Sequence, residues 1–313
     1  MVSVIIPNYN HASFLQQRID TVLAQTYSDF EVILLDDCST DDSGQIIEQY
    51  RHHPKVSHIV YNKSNSGNTF QQWKKGIALA EREWIWIAES DDYAHPDFLA
   101  KLIHNAAKGE AVVLSYCQSN EVDENNIILG NMSSWTADVD ADHWLADYTN
   151  DGRNETLNYL SVKNTIPNAS AVIFKRSAYL QVDDAHIQLK YCGDWFLWIK
   201  LLQTGDVAYT AQPLNFFRKH ASTTRTMNSF VKYRKRLEEE YEMLQYIRQN
   251  IGLSRSDFNK RLKRIIALYA YAFTKGEMAG YIFLPFRYKG PIPFHKVLAG
   301  YLKTRLGRSQ TFG

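Results

Sequence analysis

Short apolar runs alternate with stretches of helical periodicity through the first hundred residues. The runs have the density of strands buried on both faces, and they lie at residues 2–6, 30–35, 56–61 and 84–88. Between them, apolar side chains recur at helical spacing at residues 12–26, 46–50 and 69–81. Strands that alternate with helices predict right-handed crossovers and a mainly parallel sheet. The pattern therefore predicts an α/β fold in which a Rossmann-like sheet is flanked by helices.

The pattern becomes less regular after residue 110. Strands are predicted at residues 111–116, 168–175 and 206–213, and a strongly apolar helix is predicted to begin at Gly193. Residues 119–164 are polar and show no clear period. From residue 229 the chain reads as a C-terminal helical extension, with helices predicted at 229–250 and 256–276. These changes divide the chain into three regions, at residues 1–118, 119–228 and 229–313.

The end of the chain is basic and aromatic. No acidic residue follows Glu277, whereas the segment contains Arg287, Lys289, Lys296, Lys303, Arg305 and Arg308. Aromatic side chains accompany this charge at residues 281–289, and a basic helix is predicted at 294–306. Such a segment is typical of an interfacial membrane anchor. The alternative is a helical pair that packs on the domain edge and exposes a solvated basic face.

Composition narrows the class of protein. The chain has 313 residues and a net charge of +1, which gives no electrostatic case for nucleic-acid binding. Cys38, Cys117 and Cys192 have no paired spacing, which argues against a disulfide framework or a zinc site. The N-terminus does not resemble a secretory signal, and no apolar run approaches the ~20 residues that span a bilayer. We expect a cytoplasmic protein, or one peripheral on the inner face of the cell membrane.

Acidic side chains follow two of the predicted strands at the point where each strand ends. Asp36 and Asp37 follow the strand at 30–35, and Glu89, Asp91 and Asp92 follow the strand at 84–88. In open α/β sheets the ligand crevice lies at the carboxyl ends of the strands, where carboxylates can hold a divalent cation against phosphate oxygens. Polar turns that cap the following helices are the alternative interpretation.

Several motifs occur in a characteristic order. They are VSVIIPNYN at residues 2–10, QTYSDFEVILLDDCSTD at 25–41, NSGN at 65–68, ESDD at 89–92, GDW at 193–195 and RKH at 218–220. In this order they resemble the family 2 glycosyltransferases of the bacterial surface-polysaccharide type. That resemblance implies the glycosyltransferase A fold and transfer of a sugar from a nucleoside diphosphate with inversion at the anomeric carbon.

The resemblance also implies a donor-binding set. It places Pro7, Asn8 and Tyr9 beside the base and ribose of the donor, and it adds Asn65 and Gly67 of the loop that precedes the third predicted helix.

The acidic position at Asp37, with Asp36 beside it, is implied to accept the imide N–H of uracil or thymine. A carboxylate suits that task because it only accepts hydrogen bonds. Capping of the following helix is the alternative role for both aspartates.

A metal site is implied by the ESDD motif. Asp91 is implied to contact the ribose and Asp92 to reach a Mn²⁺ or Mg²⁺ ion that bridges the diphosphate. Glu89 is implied as a further metal ligand and stands where many relatives have Asp. The ion acts as a Lewis acid on the departing diphosphate.

The remaining implied roles fall in the second half of the chain. Asp194 is the candidate general base for the acceptor hydroxyl, and capping of the Trp195 helix is compatible with that role. Arg218, Lys219 and His220 match a basic segment that closes over the diphosphate. Arginine supplies paired donors to phosphate, and His220 can ligate the metal or donate to phosphate.

Together with these observations, the resemblance implies a metal-dependent inverting glycosyltransferase. It would use a UDP- or dTDP-sugar and a carbohydrate or lipid-linked carbohydrate acceptor. The three regions would then bind the donor, hold the acceptor and general base, and attach to a membrane. Two alternatives are a nucleotide-sugar-binding module without catalysis and a sugar nucleotidyltransferase. The second would favour a glycine-rich basic loop after the first strand, where this chain has Pro7, Asn8 and Tyr9.

Overall fold

The computed structural model describes residues 1–220, residues 230–275 and residue 295. The chain divides into two compact units. The first comprises Met1–Gln188 and Gly193–Ala221, and the second comprises Leu189–Cys192 and Ser222–Gly313.

The described residues contain one ten-stranded sheet. Its strands are β1 (Val2–Asn8), β2 (Phe30–Asp36), β3 (Val56–Tyr61), β4 (Trp84–Ile87), β5 (Tyr93–Ala94), β6 (Val112–Val122), β7 (Ile128–Asn131), β8 (Tyr148–Asn150), β9 (Val172–Lys175) and β10 (Asp206–Arg218).

Helices cover the sheet or follow it along the chain. In the described residues they are α1 (Ala12–Leu23), α2 (Ser43–Gln49), α3 (Thr69–Leu79), α4 (Phe98–Ala106), α5 (Ser133–Thr136), α6 (Gly152–Glu155), α7 (Arg176–Tyr179), α8 (Gly193–Leu201), α9 (Phe230–Tyr246) and α10 (Arg255–Lys275). Two π-helical turns, Thr156–Leu160 and Ile247–Ile251, continue α6 and α9, and short 3-10 turns lie at Ala169–Ala171 and Asp184–Gln188.

The strand order is β3-β2-β1-β4-β9-β6-β10-β5, with β7 beside β6 and β8 beside β10. Neighbours among β3, β2, β1 and β4 are parallel, and so are β6 and β10. Strand β9 runs antiparallel between β4 and β6. The α/β class with helix-flanked parallel strands is therefore confirmed, and the antiparallel β9 joins the two parallel groups.

Buried apolar strands form the core, as their sequence pattern predicts. Every residue of β1, β2 and β4 is buried, which requires helices on both faces of this part of the sheet. Helix α1 buries Leu15, Ile19 and Val22 at helical spacing. Arg18 lies on the same buried face, and this is the one charged side chain among the buried residues of α1.

The structure lengthens some predicted elements. Strand β6 continues to Val122. Strand β10 continues to Arg218, five residues beyond the predicted end at residue 213, so it includes Phe216 and Arg218. The extension follows from pairing, because Phe216 and Arg218 pair with Asn120 and Val122 of β6. The unassigned region 119–164 consists of the end of β6, short elements and turns.

The second unit contains helices α9 and α10, and Gly252, which adopts φ +90°, lies between them in the sequence. Glu239 is fully buried and accepts hydrogen bonds from the backbone N–H groups of Lys190, Tyr191 and Cys192 at 2.9–3.1 Å. No described helix has both the length and the apolar character needed to cross a membrane. The aromatic-basic segment and the helix predicted at 294–306 lie outside the described residues, apart from His295.

Candidate functional site

The predicted site residues of the first hundred positions gather at one edge of the sheet. Strands β2, β1 and β4 are parallel neighbours, and Asn8 pairs with Asp36 at the ends of β1 and β2. The acidic motif follows β4 at the same edge. Parallel order thus brings together side chains that are far apart in sequence.

The end of β1 is tied to the loop after β2. Asn8 is buried, and its Nδ2 donates to Asp36 Oδ1 at 3.0 Å and to Ser39 Oγ at 3.1 Å. Asp36 Oδ2 accepts the backbone N–H of Ser39 at 2.9 Å. Of the two remaining donor candidates in this loop, Pro7 is buried and Tyr9 is 45% exposed. Tyr9 therefore has a ring face available to a ligand.

Asp37 organises the loop between β3 and α3. Its carboxylate accepts hydrogen bonds from Ser66 N and Oγ, at 3.0 and 2.7 Å, from Gln72 Nε2 at 2.9 Å and from Asn62 Nδ2. Its backbone carbonyl accepts Asn65 Nδ2 at 3.1 Å. These bonds use most of the lone pairs of the carboxylate. Recognition of a base by Asp37 stays a prediction, and such a contact would be added to an already bonded carboxylate.

The loop that Asp37 holds contains the other two donor candidates. Gly67 adopts φ +67°, a conformation that favours glycine, and its N–H donates to Asn65 Oδ1 at 2.7 Å. Asn65 and Gly67 therefore shape this loop beside Asp37.

The side chain of Glu89 accepts a hydrogen bond from a buried tryptophan. Its Oε1 accepts the indole N–H of Trp73 at 2.7 Å. Burial and the nearby charge of Asp91 raise the pKa of Glu89 to about 8. Glu89 is therefore a hydrogen-bonded acid beside Asp91, and its expected role as a metal ligand stays a prediction.

Asp92 is likewise turned inward. It is 2% exposed, its Oδ1 accepts the backbone N–H of Arg218 at 2.9 Å, and its Oδ2 accepts Asn168 Nδ2 at 3.2 Å. Burial and the charge of Asp91 raise the pKa of Asp92 to about 6. Each oxygen thus accepts a hydrogen bond from the protein, so Asp92 anchors the motif internally, and its expected metal role stays a prediction.

Asp91 joins two histidines instead. One ligand atom each from His11, Asp91 and His220 lie within 4.8 Å of one another, the distance range of a shared ion. His220 Nε2 lies 3.0 Å from Asp91 Oδ2. The sequence pattern showed no metal spacing for His11, because the three residues come from three separate loops. We call this group the His–Asp–His cluster.

Electrostatics within the cluster favour a charged carboxylate. Burial opposes charge on Asp91, but the hydrogen bond from His220 and the proximity of His11 hold its pKa below the usual value. The hydrogen bond to Asp91 raises the pKa of His220, whereas burial lowers the pKa of His11. A carboxylate and two imidazoles are donors that a divalent ion accepts, so the residues fit a metal.

Arg218 does not face a ligand. It is 1% exposed, and its guanidinium donates to the carbonyls of Asp91, Asp123 and Glu124 at 2.8, 3.0 and 3.3 Å. It also donates to Gln17 Oε1 at 2.7 Å and to Asn126 Oδ1 at 2.9 Å. Such bonding leaves no N–H vector for a diphosphate. The expected phosphate contact of Arg218 is therefore corrected to an internal tie between the acidic motif and the β6–β7 turn.

Lys219 and His220 border an open cleft. The cleft has a volume of about 420 Å³ and is lined by Asp123, Glu124, Asn125, Lys219 and His220. Lys219 is half-exposed and pairs with Glu121 at 2.8 Å. The cleft thus has a half-exposed, ion-paired lysine beside His220.

Arg18 is a site residue that the sequence reasoning missed. It is fully buried, donates through Nε to the carbonyl of Glu89 at 2.8 Å and lies 3.9 Å from Asp92 Oδ2. Burial lowers its pKa to about 10, and the neighbouring carboxylates partly offset this. The available signal was its position on the apolar face of α1, where a charge needs a buried partner.

Asp194 lies in the first turn of α8, as predicted. Its Oδ2 accepts Asn164 Nδ2 at 3.1 Å. Asn168, four residues further along, donates to Asp92. Four residues of extended chain span at most ~14 Å, so one short segment links the candidate base to the acidic motif.

The chain matches the sequence model of the family described as Glycosyl transferase family 2 over residues 3–179. It is 32% identical over 127 residues to the glycosyltransferase GlyG of Streptococcus pneumoniae serotype 4, which covers 40% of this chain and 42% of GlyG. It is 35% identical over 101 residues to the poly(ribitol-phosphate) β-N-acetylglucosaminyltransferase TarS of Staphylococcus aureus, covering 31% of this chain and 17% of TarS. The matches thus span less than half of either relative.

Two solved structures have a similar fold. The S. aureus TarS 1–349 complex with UDP-GlcNAc aligns with a TM-score of 0.63 and 16% identity, covering 96% of this chain and 80% of that one. The mannosyltransferase PcManGT of Pyrobaculum calidifontis, in complex with GDP-Man and Mn²⁺, aligns with a TM-score of 0.54 and 16% identity, covering 98% and 88%. The expected glycosyltransferase A fold is confirmed by the TarS likeness.

Proposed function

The chain belongs to glycosyltransferase family 2, and from that premise we propose that it is a metal-dependent inverting transferase. It would move a sugar from a UDP- or dTDP-sugar to a hydroxyl of a carbohydrate or lipid-linked carbohydrate during surface-polysaccharide assembly. The observation that carries the proposal is the His–Asp–His cluster at the carboxyl edge of the sheet, beside the donor loops. The UDP-GlcNAc bound by TarS supports a nucleotide-sugar donor.

The donor would lie across the ends of β1, β2 and β4. Tyr9 offers an exposed ring to the base, while Asn8 and Asp36 fix the loop beneath it. The loop that contains Asn65 and Gly67, held by Asp37, would border the donor on the other side. Lys219 at the open cleft provides a positive charge that can meet the diphosphate.

Asp91 and His220 would hold the divalent ion. A bound ion of this kind neutralises the negative charge that builds on the departing diphosphate. Arg18 and the Arg218 backbone hold Asp92 inward, which leaves Asp91 as the carboxylate of the cluster. The manganese complex of PcManGT supports a metal ion in this fold.

Asp194 would act as the general base. Inverting transfer needs a base on the face of the sugar opposite the leaving diphosphate. The Asn164 amide donates a hydrogen bond to one oxygen of Asp194, and Asn168 of the same short segment donates to Asp92. Asp194 would take the proton of the acceptor hydroxyl as that oxygen attacks the anomeric carbon.

The Asp194→Asn variant tests this role. We expect turnover to fall by about 10²–10⁴-fold, because the amide cannot take the proton, while the affinity for UDP changes less than twofold. Release of free nucleoside diphosphate from UDP-, dTDP-, GDP- and CDP-sugars with Mn²⁺ measures turnover and the preferred base. Asp183→Asn, at the ion pair with Lys200, is the matched control. A loss of UDP affinity with unchanged turnover would exclude Asp194 as the base.

We propose further that residues 1–118 bind the nucleotide-sugar and that 119–228 hold the acceptor and the base. The basic aromatic sequence of residues 278–313 supports a cytoplasmic protein that attaches to the inner face of the membrane.

A further inference from the structure

We infer that His11 is a third protein ligand of the metal site, and that with His220 it makes the site prefer transition-metal ions to Mg²⁺. The inference rests on the proposed metal-dependent transfer and narrows its ion. His11 is absent from the acidic and basic motifs that indicated the site in the sequence. It enters through geometry, because its ring lies edge-on to that of His220 with centroids 5.5 Å apart.

The backbone on both sides of His11 is fixed. Asn10 adopts φ +56°, a left-handed conformation that asparagine tolerates better than most side chains do. Asn10 N–H donates to Ser39 Oγ at 2.9 Å, and its Oδ1 accepts the N–H of Thr40 at 2.8 Å. Ala12 N–H donates to Asp41 Oδ2 at 2.9 Å. The loop after β2 therefore holds the His11 ring at the cluster.

The ring itself is oriented by the acidic motif. His11 Nδ1 lies 2.8 Å from Ser90 Oγ, and Ser90 is only 2% exposed. A histidine that is hydrogen-bonded through one ring nitrogen presents the other nitrogen in a fixed direction, which is the usual arrangement of a metal-ligating histidine. Ser90, which lies between Glu89 and Asp91 in the sequence, thus orients the His11 ring.

Helix capping does not account for His11. It occupies the N-cap position of α1, but its side chain makes no capping hydrogen bond there. Serine, threonine, aspartate or asparagine would cap the helix better. One nitrogen of the imidazole lies within 4.8 Å of ligand atoms of Asp91 and His220 instead.

The donor set determines the ion. Mg²⁺ prefers oxygen ligands and near-ideal octahedral geometry. Two imidazoles with one carboxylate suit first-row transition metals, whose affinities rise from Mn²⁺ to Co²⁺. We therefore expect the order Co²⁺, Mn²⁺, Mg²⁺ from tightest to weakest.

The His11→Asn variant separates the two functions of the ring. The Asn amide keeps a donor near the position of Nδ1, facing Ser90, and removes Nε2. Calorimetric titrations of the full chain with MgCl₂, MnCl₂ and CoCl₂, with and without UDP, should show Mn²⁺ and Co²⁺ affinity lowered by roughly tenfold or more. Mg²⁺ affinity should change less than twofold. His104→Asn, at an exposed histidine of α4, should match the wild type.

A spectroscopic count of nitrogen ligands completes the test. Electron spin echo envelope modulation of bound Mn²⁺ should detect two ¹⁴N couplings in the wild type and one in His11→Asn and in His220→Asn. Equal affinities with two couplings retained in His11→Asn would overturn the inference. If Asp91→Asn abolishes binding while His11→Asn does not, only this inference fails; if the wild type binds no ion even with UDP, the metal dependence of the proposed function fails too.

Discussion

Arg218 shows how a correctly located residue can have the opposite role from the one its type suggests. A basic residue before a histidine predicted a diphosphate contact, whereas the guanidinium is 1% exposed and bonded to Asp91, Asp123, Gln17 and Asn126. Its charge also lies over the Phe14 ring, 4.6 Å from the centroid. Arg218 thus supports the site from inside the protein.

Replacement of Arg218 by lysine should cost stability. Lysine keeps the charge but loses the planar fork, so several buried acceptors lose their donors. We expect the free energy of unfolding to fall by about 2–4 kcal/mol, measured by urea denaturation. Lys219→Ala is the control, because its half-exposed pair with Glu121 contributes at most about 1 kcal/mol. Equal losses in the two variants would contradict the internal role.

The sequence does not indicate which of the adjacent residues Asp91 and Asp92 faces the two histidines. Both follow a buried strand, and both carry the same side chain. Asp91 faces two histidines, whereas Asp92 faces Asn168 and the backbone of Arg218. The partners that distinguish them lie more than 70 residues away, so only the fold assigns their roles.

At the scale of elements, α3 packs against β1 through a glycine. A Cβ on Gly76 would lie 2.4 Å from Ile5 Cγ2, and Ile5 is fully buried in β1. The absence of a side chain at this position therefore sets the distance between helix and sheet. Asn68 is the N-cap of that helix, and its Oδ1 accepts the N–H of Phe70 at 2.9 Å.

Gly76→Ala should destabilise the protein despite the better helix propensity of alanine. Overpacking against Ile5 costs about 1–3 kcal/mol, and propensity returns about 1 kcal/mol. Gly44→Ala in α2 is the matched control, since its Cβ would meet only Tyr61 Cε1 at 4.0 Å. We expect a lower melting temperature for Gly76→Ala and an unchanged or higher one for Gly44→Ala. The reverse order would contradict close packing of α3 on β1.

Element prediction succeeded where the periodic signal was strong. The strands near residues 2–6, 30–35, 56–61 and 84–88 are present because dense apolar runs require burial on both faces. The region 119–164 gave no signal because its elements are three to five residues long apart from the end of β6. The extension of β10 to Arg218 arises from pairing with β6, which no local pattern contains.

At the scale of the whole chain, a buried histidine outside the His–Asp–His cluster makes stability depend on pH. His186 is fully buried beside Phe70 and Tyr179, with ring centroids 6.5 and 5.9 Å away. Burial lowers its pKa to about 4, against the opposing charge of Asp184. Its unfolded pKa is about 6.5, so the unfolded chain binds the proton more readily.

His186→Leu should flatten the acid dependence of stability. A lowered histidine pKa contributes stability above pH ~6.5 that is lost as the pH falls towards ~4. Between pH 7 and pH 4, the wild type should lose about 1–3 kcal/mol more than the variant, measured by urea denaturation at each pH. His104→Leu, at an exposed site, should follow the wild type. Parallel curves for wild type and His186→Leu would show that His186 does not titrate in this way.

Most of the fold, and the location of several site residues, could be predicted because parallel strands place their carboxyl ends at the same edge of the sheet. Asn8, Asp36 and the acidic motif lie there as expected. Arg18 and His11 were not predicted as site residues, because their partners are contacts between distant loops. The sequence indicated where these residues lie, but it did not indicate the direction in which their side chains point.

The long β10 gives the His–Asp–His cluster a particular place in the order of synthesis. His220 follows this strand and meets Asp91 across 129 residues of sequence. A nascent chain that has emerged only as far as Ala94 already carries the donor loops and all three acids, yet it lacks His220 and the Arg218 tie. Contacts between such distant positions form late because loop closure must precede them. The proposed metal site would therefore be completed only after the sheet has closed, so binding of an ion there would indicate that the first unit has finished folding.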